Sequence, residues 1–71
     1  MTKDQAQQVK IGDYVRPIKF WNETESKDKL EPMVIVHGIM KAQSQTGLLF
    51  LVLCVNGNER WLDAGWFDEC V

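Results

Sequence analysis

Three side chains in the sequence could take part in nucleophilic or metal chemistry: His37, Cys54 and Cys70. A cysteine nucleophile needs a base beside it, and a zinc site takes its ligands in closely spaced pairs. The sequence has no Cys-x-x-Cys or His-x-x-x-His pair, and no spacing selects a partner for His37. We therefore predict no catalytic residue, no metal site and no cofactor, with Cys54 as a small buried apolar residue.

The aromatic residues are more informative, because three tryptophans, three phenylalanines and one tyrosine occur in 71 residues. A domain of this size cannot enclose three indoles. An exposed indole marks a contact site, since it combines a large apolar area with one hydrogen-bond donor. Phe67 is expected to point into the core, which turns Trp66 outward in an extended segment. The predicted partner-binding residues are Tyr14, Trp21, Trp61 and Trp66.

Length and charge restrict the kind of protein. A chain of 71 residues with net charge −2 makes one domain at the marginal end of independent folding, so association would add useful burial. Its cations are spread along the chain rather than in a basic stripe, which disfavours duplex nucleic acid. The longest apolar run, 47–55, is about half the roughly 20 residues of a membrane helix. The amino end lacks the apolar centre of a secretory signal, so we expect a cytoplasmic protein with no membrane contact.

A series of short strands within residues 9–71 must position these side chains, whereas residues 1–8 are predicted to be a frayed lead or at most a short helix. A turn or bulge is expected at Gly12-Asp13, and a long polar loop over 21–32. Pro17 is expected at a sheet edge or bulge because it cannot donate to a ladder. We predict strands at about 13–20, 33–40 and 48–55, a fourth after Asn56-Gly57, and a short last strand that follows a 3₁₀ turn near 63–66.

Asn56-Gly57 is the strongest hairpin signal in the chain, because a type I′ turn needs positive φ at both of its central residues. A two-residue loop would place Val52 opposite Trp61 and turn Leu62 to the other face of the hairpin. We predict that this other face belongs to the core, which is expected to contain Leu51, Leu53, Ile35, Ile39 and Phe67. On that assignment, Leu53→Ala would cost about 2–5 kcal/mol of stability.

Short strands joined by one long loop and tight turns bury their apolar sides by curling. We therefore predict an all-β fold, a small five-stranded SH3-like barrel with a short 3₁₀ turn before the last strand. Four pieces of the chain fit a known pattern: Gly12-Asp13-Tyr14-Val15, Pro32-Met33-Val34-Ile35-Val36, Leu53-Cys54-Val55 and Trp66-Phe67-Asp68-Glu69. They resemble the YodC-like family of small uncharacterised bacterial SH3-like barrel proteins. The resemblance spans about residues 11–69, implies a barrel and implies no activity. The long charged first loop departs from the short Gly-rich turn of that family.

Three classes of function follow from these patterns. The leading one is a non-catalytic protein-binding module, an accessory protein of a mobile genetic element, whose aromatic patch docks a protein partner or an identical subunit to make a homo-oligomer. The first alternative is an oligomeric small-molecule-binding barrel or enzyme with a site at the symmetry axis. The plasmid-borne barrel dihydrofolate reductase is of this kind, but its Val-Gln-Ile-Tyr stretch is missing here. The second alternative is a single-stranded nucleic-acid binder that stacks bases on tryptophan.

Overall fold

The computed structural model describes residues 1–18 and 29–69. Helix α1 (Lys3–Ala6) comes first, and a 3₁₀ turn (Ala64–Trp66) precedes the last strand, as the sequence predicts. No helix in the described part is long and apolar enough to cross a membrane. The predictions for Trp21, Cys70 and loop residues 21–28 lie outside the described residues. The strands are β1 (Tyr14–Pro17), β2 (Val34–Ile35), β3 (Gly38–Lys41), β4 (Leu48–Leu53), β5 (Glu59–Asp63) and β6 (Phe67–Glu69).

The strands form two antiparallel three-stranded sheets, in the orders β2-β1-β6 and β3-β4-β5. The all-β class is confirmed, but the sheets of the described residues do not join into a closed barrel. The single strand predicted at 33–40 is two strands in different sheets. The Val36 amide donates to the carbonyl of Asp13 at 2.9 Å, and the His37 amide donates to the carbonyl of Leu51 at 2.8 Å. The chain therefore passes from one sheet to the other between Val36 and His37.

Strand β1 is the middle strand of its sheet, so of the two positions predicted for Pro17, a sheet edge or a bulge, the edge strand is not observed. Pro17 itself pairs only with Phe67 of β6, because the registered pairs with β2 end at Val15. The Ile18 amide donates to the carbonyl of Trp66 at 3.0 Å. Ladder bonds alternate in direction along a strand, so the Pro17 nitrogen faces away from β6. The missing N–H of Pro17 thus faces the β2 side of β1, at a position beyond the end of β2, and no ladder hydrogen bond is lost there.

The β4–β5 register differs by one residue from the prediction, because the connecting loop has three residues instead of two. Gly57 has a positive φ of 91°, whereas Asn56 does not have a positive φ. The Cys54 amide donates to the carbonyl of Asn58 at 2.7 Å, and the Gly57 amide donates to the carbonyl of Cys54 at 3.0 Å. This is a type I turn followed by one left-handed glycine, and not the predicted type I′ turn. The extra loop residue shifts every pair of the hairpin by one.

This shift changes which face of the hairpin belongs to the core. Leu62 lies opposite Phe50, and Trp61 lies opposite Leu51. The prediction that Leu51 and Leu53 are core residues is therefore wrong: Leu53 is 45% exposed and Leu51 is half-buried, whereas Phe50 is fully buried. A one-residue slip moves side chains to the opposite face, because side chains alternate along a strand.

The core joins the two sheets. The ring centroids of Phe50 in β4 and Phe67 in β6 are 6.1 Å apart, within the range of favourable aromatic pairs. The predictions that Phe67 and Cys54 are buried are confirmed; of the other predicted core residues, Ile39 is half-buried against the core and Ile35 is half-buried. The buried apolar residues are Ala6, Val15, Leu30, Val34, Val36, Phe50, Val52, Cys54, Leu62, Ala64 and Phe67.

Residues 1–8 contain the short helix that the sequence allows there. The Thr2 hydroxyl accepts from the Gln5 amide at 3.2 Å, and the Gln5 side-chain oxygen accepts from the Thr2 amide at 2.9 Å. This reciprocal capping box satisfies two amides that a helix start would leave unpaired. Ala6 is buried in the core, and the amino group of Met1 donates to the carbonyl of Phe67. The segment thus packs on the domain.

Candidate interaction surface

The side of sheet β3-β4-β5 that faces away from the core is apolar at its centre. Strand alternation and the observed pairing place five apolar side chains there, which we call the outer face: Met40, Leu49, Leu51, Leu53 and Trp61. Met40 is 43% exposed and Trp61 is 42% exposed, while Leu49 and Leu51 are half-buried. An antiparallel sheet with one face in water normally turns polar residues outward. Contiguous exposed apolar residues instead mark an interaction site.

One row of residues gives the outer face its shape. Leu51 pairs with Gly38 of β3 on one side and with Trp61 of β5 on the other. A Cβ atom placed on Gly38 would lie 3.1 Å from Cη2 of Trp61 and 3.2 Å from Cβ of Leu51. The indole therefore crosses β4 and covers the glycine. Because Gly38 has no side chain, the ring lies along the sheet instead of standing away from it.

The outer face continues at Leu53 into a shallow groove of about 310 Å³. Tyr14, Met33 and Val55 provide further exposed side chains in this groove, and Tyr14 is 49% exposed. Glu31 and His37 add polar groups to its lining. Leu53 belongs both to the outer face, with Trp61, and to the groove, with Tyr14. Tyr14 and Trp61 come from different sheets, but they are thus parts of one continuous surface.

Of the other two predicted partner-binding residues, only Trp66 is in the described part of the chain, and it does not lie on this surface. Trp66 is half-buried and packs against the core, and Trp21 lies outside the described residues. The sequence interpretation missed Met33, Met40, Leu53 and Val55 as surface residues. One signal was available: all six residues of β4 are apolar, so whichever face is the core, the opposite face must also be apolar.

The groove also contains a histidine and a cysteine, since His37 and Cys54 both line it. Cys54 is buried, whereas reactive cysteines are normally partly exposed. Within residues 1–18 and 29–69, no three His, Cys, Asp or Glu residues are grouped so that they could hold a metal ion.

A hydrogen-bonded carboxylate, Asp63, lies at one end of the outer face. Its Oδ1 accepts from the hydroxyl of Thr46 at 3.0 Å and from the Thr46 amide at 3.3 Å, and its Oδ2 accepts from the Gly65 amide at 2.7 Å. Burial by itself raises the pKa of the Asp63 carboxyl, but hydrogen bonds from Ser44, Gly65 and Thr46 together lower that pKa below its ordinary value. Asp63 therefore ties loop 42–47 to the 3₁₀ turn and fixes the end of β5.

A second concave region lies on the opposite side of β3, against helix α1. Its volume is about 600 Å³, and its apolar lining includes Val9, Ile39 and Leu48. Lys3 and Lys41 are the two charged residues of this lining. The region could therefore accept a small molecule with an apolar body and a negative charge.

Comparison of the chain with family models, with curated protein sequences and with solved structures finds no match. The YodC-like resemblance is therefore carried by the four sequence pieces alone.

Proposed function

We propose that this chain is a non-catalytic protein-binding module that uses the outer face and the adjoining groove as its docking surface. The observation that carries the proposal is the exposure of Met40, Leu53 and Trp61 on one side of a regular sheet. Exposed aromatic and aliphatic anchors with a polar rim are typical of protein interfaces. Glu59, opposite Leu53, and Glu31, in the groove, supply polar groups at the margin.

The rigidity of the surface supports this function. Main-chain pairing with both β3 and β5 holds Leu51 in place, and Leu53 pairs with Glu59 of β5. The Asp63 hydrogen bonds fix the far end of β5. A preformed surface loses little conformational entropy when a partner binds. A docking surface built from flexible loops would lose more conformational entropy, because the loops become ordered on binding.

We further propose that the two sheets are the halves of a five-stranded SH3-like barrel, with β2 and β3 counted as one strand bent at Val36-His37. The two consecutive hydrogen bonds at that bend, one to each sheet, support this description. From the four matching sequence pieces and this proposed barrel, we propose membership of the YodC-like family. We also propose a cytoplasmic accessory protein of a bacterial mobile genetic element: the family resemblance supports the bacterial source, and the small size of the domain supports the accessory role.

A site-specific photocrosslinker tests the proposed function. p-Benzoylphenylalanine is introduced at Leu53, and in a matched variant at Gln43, an exposed residue of loop 42–47 that is not among the residues that the strands turn to the outer face. After irradiation in the cell, we expect a protein adduct from position 53 that is absent from position 43. Equal yields at the two positions, or no adduct at position 53, would contradict a docking role for this face.

The region between α1 and β3 favours small-ligand binding as a second candidate function. Its volume of about 600 Å³ falls within the range of small-molecule sites. The test is a titration with decanoate, an apolar chain with one carboxylate, followed by NMR. Saturable shifts at Ile39 and Leu48 that Lys41→Gln weakens and Lys10→Gln does not would support it; shifts spread over the whole surface would contradict it.

Single-stranded nucleic acid is not favoured by the outer face. Stacking sites normally lie in a basic groove that tracks the phosphates. The charged residues that the strands turn to this side are Glu59 and Asp63, and both are acidic.

A further inference from the structure

The partner that best fits the outer face is a protein surface that is itself apolar. Strand pairing turns eight residues to this side: Gly38, Met40, Leu49, Leu51, Leu53, Glu59, Trp61 and Asp63. Glu59 lies at a corner, and the Asp63 carboxylate is already bonded to Thr46 and Gly65. The centre of the face therefore offers no charge for a charged partner to pair with. An occupant must cover it with apolar side chains.

We infer that the outer face packs against the same face of a second copy of this chain, an inference that rests on the proposed function. A two-fold arrangement makes one patch serve as both partners. The net charge of −2 leaves little repulsion between two copies. Burial of the second side of β4 would also explain why Leu48–Leu53 is apolar at every position, a pattern typical of strands covered on both sides.

The shape of the face suits packing of sheet on sheet. Stacked sheets of similar twist pack about 10 Å apart with their strands within about 30° of each other. A second copy presents a sheet of the same twist. Because the Trp61 indole lies over Gly38 instead of projecting from the sheet, it leaves a low platform that another sheet can approach.

The size of the face sets the expected strength. A standard stable interface buries about 800 Å² on each partner. Three strands of four to six residues offer less than this unless the groove at Tyr14 and Met33 takes part. We therefore expect a dimer that dissociates in the micromolar range, and not a permanent assembly.

Sedimentation equilibrium of the full chain between about 1 μM and 1 mM tests the inference, because this range brackets the expected dissociation constant. The average mass should rise from that of one 8.2 kDa chain toward twice that value. Leu53→Ser and Trp61→Ser should each weaken the dimer at least about tenfold, as expected for large apolar side chains that a partner buries. Ile11→Ser is the matched control, since Ile11 is an exposed aliphatic residue outside the outer face and the groove, and it should change nothing.

Circular dichroism and unfolding curves show that each variant is folded before its mass is interpreted. If a serine variant does not fold, Met40→Ser replaces it, because Met40 is exposed on the same face. A wild-type mass of one chain over the whole range would overturn the inference. A dimer that the outer-face variants weaken no more than Ile11→Ser does would also overturn it.

The photocrosslinker separates this inference from the proposed function. A monomer whose Leu53 position still crosslinks to a different protein refutes self-association and leaves the docking role standing. A monomer with no adduct above that of Gln43 refutes both.

Discussion

The indole of Trp61 lies across Leu51 and covers Gly38, so that a Cβ atom on the glycine would lie 3.1 Å from Cη2 of the ring. The two residues are on β5 and β3, the strands that flank β4. This contact makes the outer face a low apolar surface. It also explains the glycine inside a strand, where glycine is normally unfavourable and often marks the close approach of another group.

Gly38→Ala should therefore move the Trp61 ring without unfolding the domain. A 3.1 Å separation is too short for ordinary contact, and the ring is exposed enough to shift. We expect a change in the indole N–H resonance of Trp61 in ¹H–¹⁵N spectra, with the Trp66 indole as internal control. Weaker self-association should accompany it. An unchanged Trp61 resonance would mean that the ring does not lie over Gly38.

Truncation of two adjacent residues of β4 should lower the stability of the domain by different amounts. Val52→Ala should cost about 2 kcal/mol, because it removes two buried methyl groups and leaves a cavity. Leu53→Ala should cost less than about 1 kcal/mol, since Leu53 is on the outer face. Urea unfolding measured at a low, monomeric concentration gives both values. A larger cost for Leu53→Ala than for Val52→Ala would contradict the observed register. It would support the two-residue hairpin loop, in which Leu53 is a core residue.

Val52 and Leu53 also show which features of the fold can be predicted from the sequence. The apolar run of β4, the buried Phe67 and the 3₁₀ turn could be predicted, because each depends on local pattern. The sequence did not allow us to predict which side of β4 faces the core. That side depends on one loop residue, and Asn56-Gly57 fits both a two-residue and a three-residue loop.

The break between β2 and β3 could not be predicted from the sequence for a related reason. Residues 33–40 are uniformly apolar or small except for His37, so nothing in their composition marks a change of sheet. The change is decided by hydrogen bonds to Asp13 and Leu51, which are distant in sequence. Trp61 could be predicted as a surface residue from the size of the domain, but the residues around it required the register.

The loop geometry gives its own prediction. Gly57→Ala should cost about 1–2 kcal/mol, because Gly57 has a φ of 91° and alanine is strained there. Asn56→Ala should cost less, since Asn56 does not have a positive φ, and the change removes the hydrogen bond that its side-chain oxygen accepts from the Asn58 amide at 3.1 Å. Thermal or urea unfolding measures both. Similar costs at the two positions would indicate a type I′ turn.

Asp63 should make the stability of the domain depend on pH in acid. Its pKa is lower in the folded chain than in the unfolded one, so its contribution is fully present above the unfolded value and is lost as the pH falls through the folded value. Asp63→Asn should destabilise the domain by about 1–2 kcal/mol at neutral pH, because one amide oxygen cannot accept all of these hydrogen bonds. The deficit should shrink in acid.

Unfolding curves at a series of pH values, with Glu31→Gln as the control for an exposed carboxylate, test this prediction. Gly65→Ala should lose stability as well, since a Cβ atom there would lie 2.7 Å from Oδ2 of Asp63. A deficit for Asp63→Asn that stays constant from neutral pH into acid would show that the charge of Asp63 does not stabilise the fold.

The central claim is that the outer face is where this chain binds a second protein molecule, a copy of itself. A dilution series of ¹H–¹⁵N spectra over the concentrations used for sedimentation tests it most directly. We predict that the concentration-dependent shifts fall on Met40, Leu51, Leu53 and the Trp61 indole, and that Ile11 and helix α1 stay unchanged. Shifts concentrated at α1 and loop 42–47, or spectra that do not change with concentration, would contradict the claim.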